Sequence, residues 1–161
     1  MASRRDRSSG TETFEARILD LLLSGDDPVL EILRDQRRTV RVRARDRTEI
    51  GCLVSLETEP DAPLTEPPSF ALRDVWFQLR GCAEEGAAIL FVRKGRLDTL
   101  ELYNWTDPWP DSPSLAGSGY LVARPRGPEG EPVAYELERI EERDPAYLEE
   151  QIRGSDRPEE A

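Results

Sequence analysis

Hydrophobic residues recur at helical spacing near the start of the chain, where charged residues occupy the positions between them. Gly25 ends this first segment, Asp27 is placed as an N-cap, and Pro28 stands at the first position of a second helix that ends near Arg37. The pattern therefore predicts two N-terminal helices, and the apolar stripe of the first consists of Phe14, Ile18, Leu21 and Leu22.

The period changes to two at Thr39, which is typical of a strand. Alternation with three arginines predicts a half-buried strand that is followed by a hairpin partner over residues 50–58. The apolar positions are Val40, Val42 and Ala44, and the arginines of the opposite face are Arg41, Arg43 and Arg45. A third strand is predicted over residues 70–79, with Phe70, Leu72, Asp74 and Trp76 on one face.

The clearest local signal is a hairpin that joins residues 87–92 to residues 97–103 through Arg93-Lys94-Gly95-Arg96. A last hairpin is predicted from residues 119–126 and 133–140, with a turn over residues 127–130. Asp144 and Pro145 then begin a short helix that ends near Arg153.

These elements predict an α+β fold: a predominantly antiparallel meander sheet of about six or seven strands, two N-terminal helices and a short C-terminal helix. The predicted organisation is a disordered tail over residues 1–10, one domain over residues 11–153, and a flexible acidic tail over residues 154–161.

The chain has no histidine, which excludes Ser-His-Asp and Cys-His catalysis, histidine zinc sites and an imidazole switch. Cys52 and Cys82 lie in apolar surroundings and are interpreted as small buried hydrophobes. A disulfide or a nucleophilic thiol is the alternative. Glycine-rich phosphate loops, CxxC pairs and calcium-loop spacing are missing from the sequence, so no cofactor or metal is implied.

No apolar segment resembles a signal peptide or is long enough to span a bilayer. The sequence therefore predicts a cytoplasmic protein without a membrane partner. The use of 21 arginines against a single lysine is typical of a GC-rich genome.

The formal charge of −11 is unevenly distributed, because residues 34–47 carry a local charge of +5. This arginine stripe comprises Arg34, Arg37, Arg38, Arg41, Arg43, Arg45 and Arg47. It could hold phosphate, but the acidic remainder of the chain repels a polyanion, and Glu49, Glu57 and Glu59 are available as partners. A solvated or internally paired face is the favoured interpretation, and binding of nucleic acid is not expected.

Two segments resemble a family of small bacterial proteins of unknown function, over roughly residues 14–110. The first runs from Asp27 through Pro28 to Gln36, and the second runs from Gly86 through Gly95-Arg96-Leu97-Asp98 to Asp107-Pro108-Trp109-Pro110. The resemblance implies the fold and assigns no activity. Glu85 stands where the family pattern has a histidine, and Lys94 stands where it has an acidic turn residue, so a function of that histidine would be lost here.

The aromatic segment from Tyr103 to Pro110 is the predicted contact surface, together with the arginines at 41, 43 and 45. Its candidate residues are Tyr103, Trp105, Asp107 and Trp109, since large rings contribute contact area at little entropic cost. Trp109, placed between two prolines, is predicted to be the exposed one, while Trp105 continues the strand alternation. The alternative is that one or both tryptophans fold back over the sheet end.

Two classes of function remain open. The favoured hypothesis is a non-catalytic protein-interaction domain that binds a basic partner, with an immunity-type role fitting its acidity and size by analogy. The alternative is a carboxylate-based hydrolase or small-ligand-binding domain that uses a concave sheet face. Its candidate acid pairs are Asp98 with Asp74 and Glu101 with Asp107.

Overall fold

The computed structural model of the protein describes residues 13–127 and 134–154. The tail predicted over residues 1–10 lies outside these ranges. So do most of the tail predicted over residues 154–161 and of the turn predicted over residues 127–130.

Three helices occur where the sequence predicts them. Helix α1 covers residues 13–22, α2 covers Pro28–Arg37 and α3 covers Pro145–Arg153. The predicted caps are confirmed, because the Asp27 side chain accepts from the Val29 N–H at 2.9 Å and Asp144 accepts from the Tyr147 N–H at 2.9 Å.

Seven antiparallel strands form one sheet in the order β1-β2-β5-β4-β3-β6-β7. They are β1 (Arg41–Arg47), β2 (Gly51–Glu57), β3 (Phe70–Leu79), β4 (Gly86–Arg93), β5 (Arg96–Asn104), β6 (Leu115–Arg126) and β7 (Ala134–Ile140). The predicted α+β class is thus confirmed. The chain crosses the sheet twice, between β2 and β3 and between β5 and β6, and the central β3-β4-β5 meander lies between those crossings.

The helices cover one face of the sheet and leave the other partly exposed. Leucines and valines of every inner strand meet the apolar sides of the three helices in a single core, with Ile18, Leu22, Leu30, Leu33 and Ile152 fully buried. Because side chains alternate along a strand, the residues between these core positions project to the opposite side. We call that side the open face.

Two β-bulges shift the predicted faces of β1 and β3. In β1 the register shifts between Val42 and Ala44, so that Arg41 lies opposite Glu57 whereas Arg45 lies opposite Val54. Positions 54 and 57 are three residues apart in β2 and face opposite sides. The prediction that the three arginines share one face is therefore wrong.

The prediction of a half-buried β1 is also wrong, since all seven of its residues are exposed. It is an edge strand that lies beyond most of the helical cover. In β3 the bulge between Leu72 and Val75 turns Val75 and Phe77 into the core. Trp76 thus faces away from Leu72, contrary to the predicted alternation.

A buried ion pair connects β3 to the segment after β7. Arg143 donates to both carboxylate oxygens of Asp74 at 2.8 Å, and the two side chains are 8% and 1% exposed. The same guanidinium donates from Nη1 to the carbonyls of Leu21 (3.3 Å), Leu22 (2.7 Å) and Ser24 (2.9 Å) at the end of α1. The last carbonyls of a helix lack donors of their own helix, so Arg143 satisfies this end and fixes α1 to the sheet. The Leu21 carbonyl also accepts from the Ser24 N–H at 3.4 Å.

A second arginine completes this arrangement. Arg34 of α2 donates to the carbonyls of Leu23 (2.6 Å) and Gly25 (2.9 Å), and the Tyr120 hydroxyl donates to Leu21 (2.6 Å). We call the five carbonyls of residues 21–25 together with Arg34 and Arg143 the carbonyl clamp. It positions both N-terminal helices over the sheet.

Replacement of Arg143 by methionine should destabilise the protein by about 3–5 kcal/mol, because Asp74 would stay buried without its counter-ion. Urea unfolding followed by circular dichroism measures the change. Arg124→Met is the matched control, since Arg124 pairs with Glu138 at the surface, and such pairs contribute roughly 0–1 kcal/mol. Equal stability of the two variants would contradict the structural role of the clamp.

Asp27 links the start of α2 to the end of α3. Besides capping α2, its carboxylate accepts from Arg153 at 2.6 and 2.9 Å. The hydrogen bonds from Arg153 lower the pKa of Asp27 below its ordinary value of 3.8; burial opposes this shift and the Val29 N–H adds to it. Folding thus favours the ionised carboxylate of Asp27. Its contribution to stability is present above the ordinary pKa of 3.8 and is lost as the pH falls through the lowered pKa of the folded state.

Asp27→Asn should therefore lower stability by about 0.5–1 kcal/mol at pH 7, because asparagine still caps the helix but forms no ion pair. The difference in stability between the variant and the parent should become smaller below about pH 4, because Asp27 of the parent then becomes protonated. Thermal unfolding between pH 3 and pH 7 measures it. A stability difference between Asp27→Asn and the parent that stays constant from pH 7 to pH 3 would exclude the ion pair as its cause.

Candidate functional site

The open face contains a hollow of about 300 Å³ beside the turn that joins β1 to β2. Cross-strand pairing builds its floor, since Glu101 of β5 lies between Leu53 of β2 and Ile89 of β4. We call it the Glu101 hollow, and its lining consists of Thr48, Ile50, Cys52, Leu53, Ile89, Glu101, Leu102 and Tyr103. Most of that lining is apolar.

Glu101 is the single charged side chain among the residues that line this hollow. It is half-buried, and no hydrogen bond or ion pair connects its side chain to any other part of the described chain. The aliphatic neighbours on both sides offer no donor. A carboxylate in apolar surroundings is costly unless it is paired, so this position favours a cation that comes from outside the chain.

Gly51 allows β2 to approach β5 closely at the rim of the hollow. A Cβ at this position would overlap the carbonyl oxygen of Leu102. Gly51 also lies opposite Tyr103 in the strand register. Leu53 and Ile50 are 37% and 42% exposed, so the apolar wall on this side is accessible.

The other half of the open face is covered by the chain itself. Trp76 lies against β6, where a Cβ on Gly119 would be 2.9 Å from the indole Nε1. The guanidinium of Arg139 lies over the indole at 4.0 Å from the ring centroid and forms an ion pair with Glu85. A carboxylate, an arginine and an aromatic ring thus form a closed stack here. Gly117, Ser118 and Gly119 belong to β6, which begins at Leu115.

The predicted aromatic segment is divided by the structure. Tyr103 is half-buried and lines the Glu101 hollow, and Trp105, just beyond the end of β5, is 44% exposed. Asp107 accepts from the Glu84 N–H at 3.0 Å and so fixes the loop to the preceding turn. Asn104, which separates Tyr103 from Trp105 in the sequence, is fully buried. Of the two tryptophans, Trp105 is therefore the accessible one.

The prediction that Trp109 is exposed is wrong, because its indole is 6% exposed and belongs to the core. It packs against Phe14 and Phe77, with ring centroids 5.9 and 6.0 Å away. The backbone N–H of Trp109 donates to the Glu49 carbonyl at 2.9 Å, and the backbone carbonyl of Trp109 accepts from Arg47 at 2.9 Å. The two flanking prolines have no backbone N–H, but Trp109 has one. Its hydrogen bond to Glu49 holds the loop over the end of the sheet.

Trp109→Ala should cost about 3–5 kcal/mol, the range for truncation of a buried aromatic residue. Trp105→Ala is the matched variant in the same loop and should change stability by less than about 1 kcal/mol. Guanidinium unfolding with a fluorescence readout distinguishes them. Similar values for both would mean that the Trp109 packing contributes little.

The candidate arginines of β1 have separate environments. Arg45 donates to both carboxylate oxygens of Glu15 on α1 at 2.9 and 2.6 Å, and Arg41 reaches Glu59 at 3.4 Å. Arg43 is exposed at the bulge and forms no side-chain hydrogen bond with the described residues. The remaining arginines of the stripe pair with carboxylates or carbonyls: Arg34, Arg37, Arg38 and Arg47. The internally paired interpretation therefore describes most of the stripe.

Both cysteines are free, with Cys52 buried and Cys82 half-buried. The disulfide alternative is therefore wrong. Burial raises the pKa of the Cys52 thiol, and Glu15 raises it further against the opposing effect of Arg45 and Arg47. A protonated buried thiol is a poor nucleophile.

The carboxylate pairs considered from the sequence have separate partners. Asp74 is bound by Arg143, and Asp98 accepts from Arg93 and Thr99. Asp107 is bonded to the backbone beyond the strand end, away from the cross-strand row of Glu101. Neither pair shares a hydrogen bond, so the geometry offers no acid and base acting together.

Sequence reasoning missed the Glu101 hollow, although a signal was present. Residues 99, 101 and 103 alternate with the buried leucines of β5, and the other arm of that hairpin is apolar on both faces. An acid on such a strand must therefore lie beside an aliphatic residue. The register that pairs Glu101 with Ile89 and Leu53 follows only from the sheet order.

Comparisons with protein-family models, with curated proteins and with solved structures give no match for this chain. The resemblance to a family of small bacterial proteins thus stays a prediction. No helix of the described residues is long and apolar enough to cross a membrane.

Proposed function

We propose that this protein is a non-catalytic interaction domain that binds a basic protein partner through its open face. The observation that carries the proposal is the Glu101 hollow, an accessible apolar surface around one unpaired carboxylate. Apolar area supplies affinity, and the carboxylate supplies the preference for a cationic group.

The charge of the whole chain supports the same partner class. A net charge of −11 attracts a basic protein and accelerates its encounter. Most arginines of the stripe are already paired within the fold, which leaves little free positive potential for an acidic partner. An immunity-type role agrees with this acidity and rests on analogy alone.

Binding of a small ligand is the second candidate function. The hollow has about 300 Å³, at the lower limit of ligand pockets, and its apolar lining with one acid would suit a small cationic molecule. Carboxylate hydrolysis is disfavoured, because Asp74 and Asp98 are engaged by different arginines.

Photo-cross-linking in cells of the source organism tests the interaction. A benzophenone side chain placed at Leu53 should give a discrete protein adduct, and the same group at Glu31 on the helix-covered side should not. Leu53→Asp should remove the partner from affinity purification, because it introduces a charge into the apolar wall. Leu64→Asp is the control, since Leu64 is an exposed leucine in the loop before β3.

Unchanged partner recovery with Leu53→Asp, at a melting temperature close to the parent's, would contradict the proposal. An adduct of equal yield at Leu53 and at Glu31 would also contradict it.

A further inference from the structure

Where acids of the sheet lie close to aromatic residues, the described chain supplies an arginine to Glu85 and to Asp98, whose partner Arg93 lies 4.8 Å from the Phe91 ring centroid, but none to Glu101. Glu85 pairs with Arg139, whose guanidinium lies 4.0 Å from the Trp76 ring centroid. Glu101 lies two residues from Tyr103 on the same strand face, and no arginine of the described chain reaches it. We infer that the Glu101 hollow binds an arginine or lysine side chain of the partner, with Glu101 as its counter-ion. The inference rests on the proposed function.

The pairing of β5 with β2 and β4 determines which residues surround a cationic side chain bound at Glu101. Leu53 and Ile89 flank Glu101 on the adjacent strands, and Gly51 and Ala87 flank Tyr103 in the next row. The larger pair provides apolar walls for the methylene stem of a long cationic side chain. The smaller pair adds no bulky side chain beside the half-buried tyrosine, so that a cation bound to Glu101 can also lie over its ring.

Charge complementarity decides between possible occupants of this surface. An apolar segment alone would leave the Glu101 carboxylate buried without a partner, and an acidic segment would add repulsion. A cationic side chain satisfies the carboxylate and covers the same apolar area. A second copy of this chain is a poorer occupant, because most of the arginines in its stripe are already paired.

The unpaired acid also has a consequence for stability. If Glu101 serves a partner and not the fold, its replacement by leucine should leave the melting temperature unchanged or raise it, since Leu53 and Ile89 would gain an apolar neighbour. A clear fall in melting temperature would show that the carboxylate has a structural role and would overturn the inference.

Selection of random dodecapeptides displayed on phage against the full chain tests the recognised group. Enriched peptides should contain arginine or lysine next to apolar residues. A synthetic copy of the best peptide should bind Glu101→Gln at least tenfold more weakly, the loss expected when one partner of a desolvated charge pair is removed. Glu57→Gln, on the neighbouring strand, should bind as the parent does.

Two substitutions of the peptide's cationic residue test the pairing, and the glutamine variant completes the double-mutant cycle. Exchange of arginine for lysine, or of lysine for arginine, should retain most of the binding, and the larger affinity identifies the preferred cation. Glutamine at that position should weaken binding to the parent but not weaken it further on Glu101→Gln, because the two groups act as one pair.

The outcomes separate the inference from the proposed function. Peptides that depend on Leu53 but bind Glu101→Gln with undiminished affinity would overturn the inference and leave the interaction surface in place. A selection without any peptide that depends on Leu53 would contradict both.

Discussion

The carbonyl clamp is the contact on which the arrangement of this fold depends. Asp74 lies in a bulge of β3 and is almost fully buried, a position that is tolerated only with a complete set of partners. Arg143 provides that set and uses its remaining donors on the last carbonyls of α1. The clamp fixes the C-terminal end of α1, while Phe14 packs against Phe77 and Trp109 at the other end. The helix that closes the core is thereby held at both ends.

The same use of arginine recurs through the molecule. Arg96 donates to the carbonyls of Glu59 and Pro60 and so holds the long loop before β3, and Arg47 donates to the carbonyl of Trp109. A planar guanidinium has five donors and can satisfy several carbonyls at once. Loops with many prolines have few donors of their own, and arginine supplies them from a neighbouring strand. An arginine-rich segment therefore contributes here to internal order, although its linear pattern suggested a surface stripe.

How well the sequence predicts a structural feature depends on how far apart in the chain the residues that determine it lie. Helix caps and the Lys94-Gly95 turn depend on adjacent residues, and they occur as predicted, with φ angles of 53° and 75° in the turn. Side-chain faces depend on unbroken alternation, and the bulges after Val42 and Leu72 reverse them. Bulges leave little trace in the sequence. The positions of Trp109 and Glu101 depend on strands far apart in the chain, so the buried indole and the isolated acid could not be deduced from spacing.

The acids on the two faces of the sheet differ in their partners. On the helix-covered face, Asp74 and Glu15 each hold an arginine, and their removal affects the core. On the open face, Glu85 holds Arg139 over Trp76, while Glu101 has aliphatic neighbours and no cationic partner among the described residues. In the proposed function, a cation from the partner supplies the charge that Glu101 lacks among the described residues, so pairing of this carboxylate contributes to binding. Since Glu101 shares no partner with the carbonyl clamp, the two should respond independently to substitution. Under the proposed function, the Glu101 carboxylate serves binding, whereas the Asp74 carboxylate serves the fold.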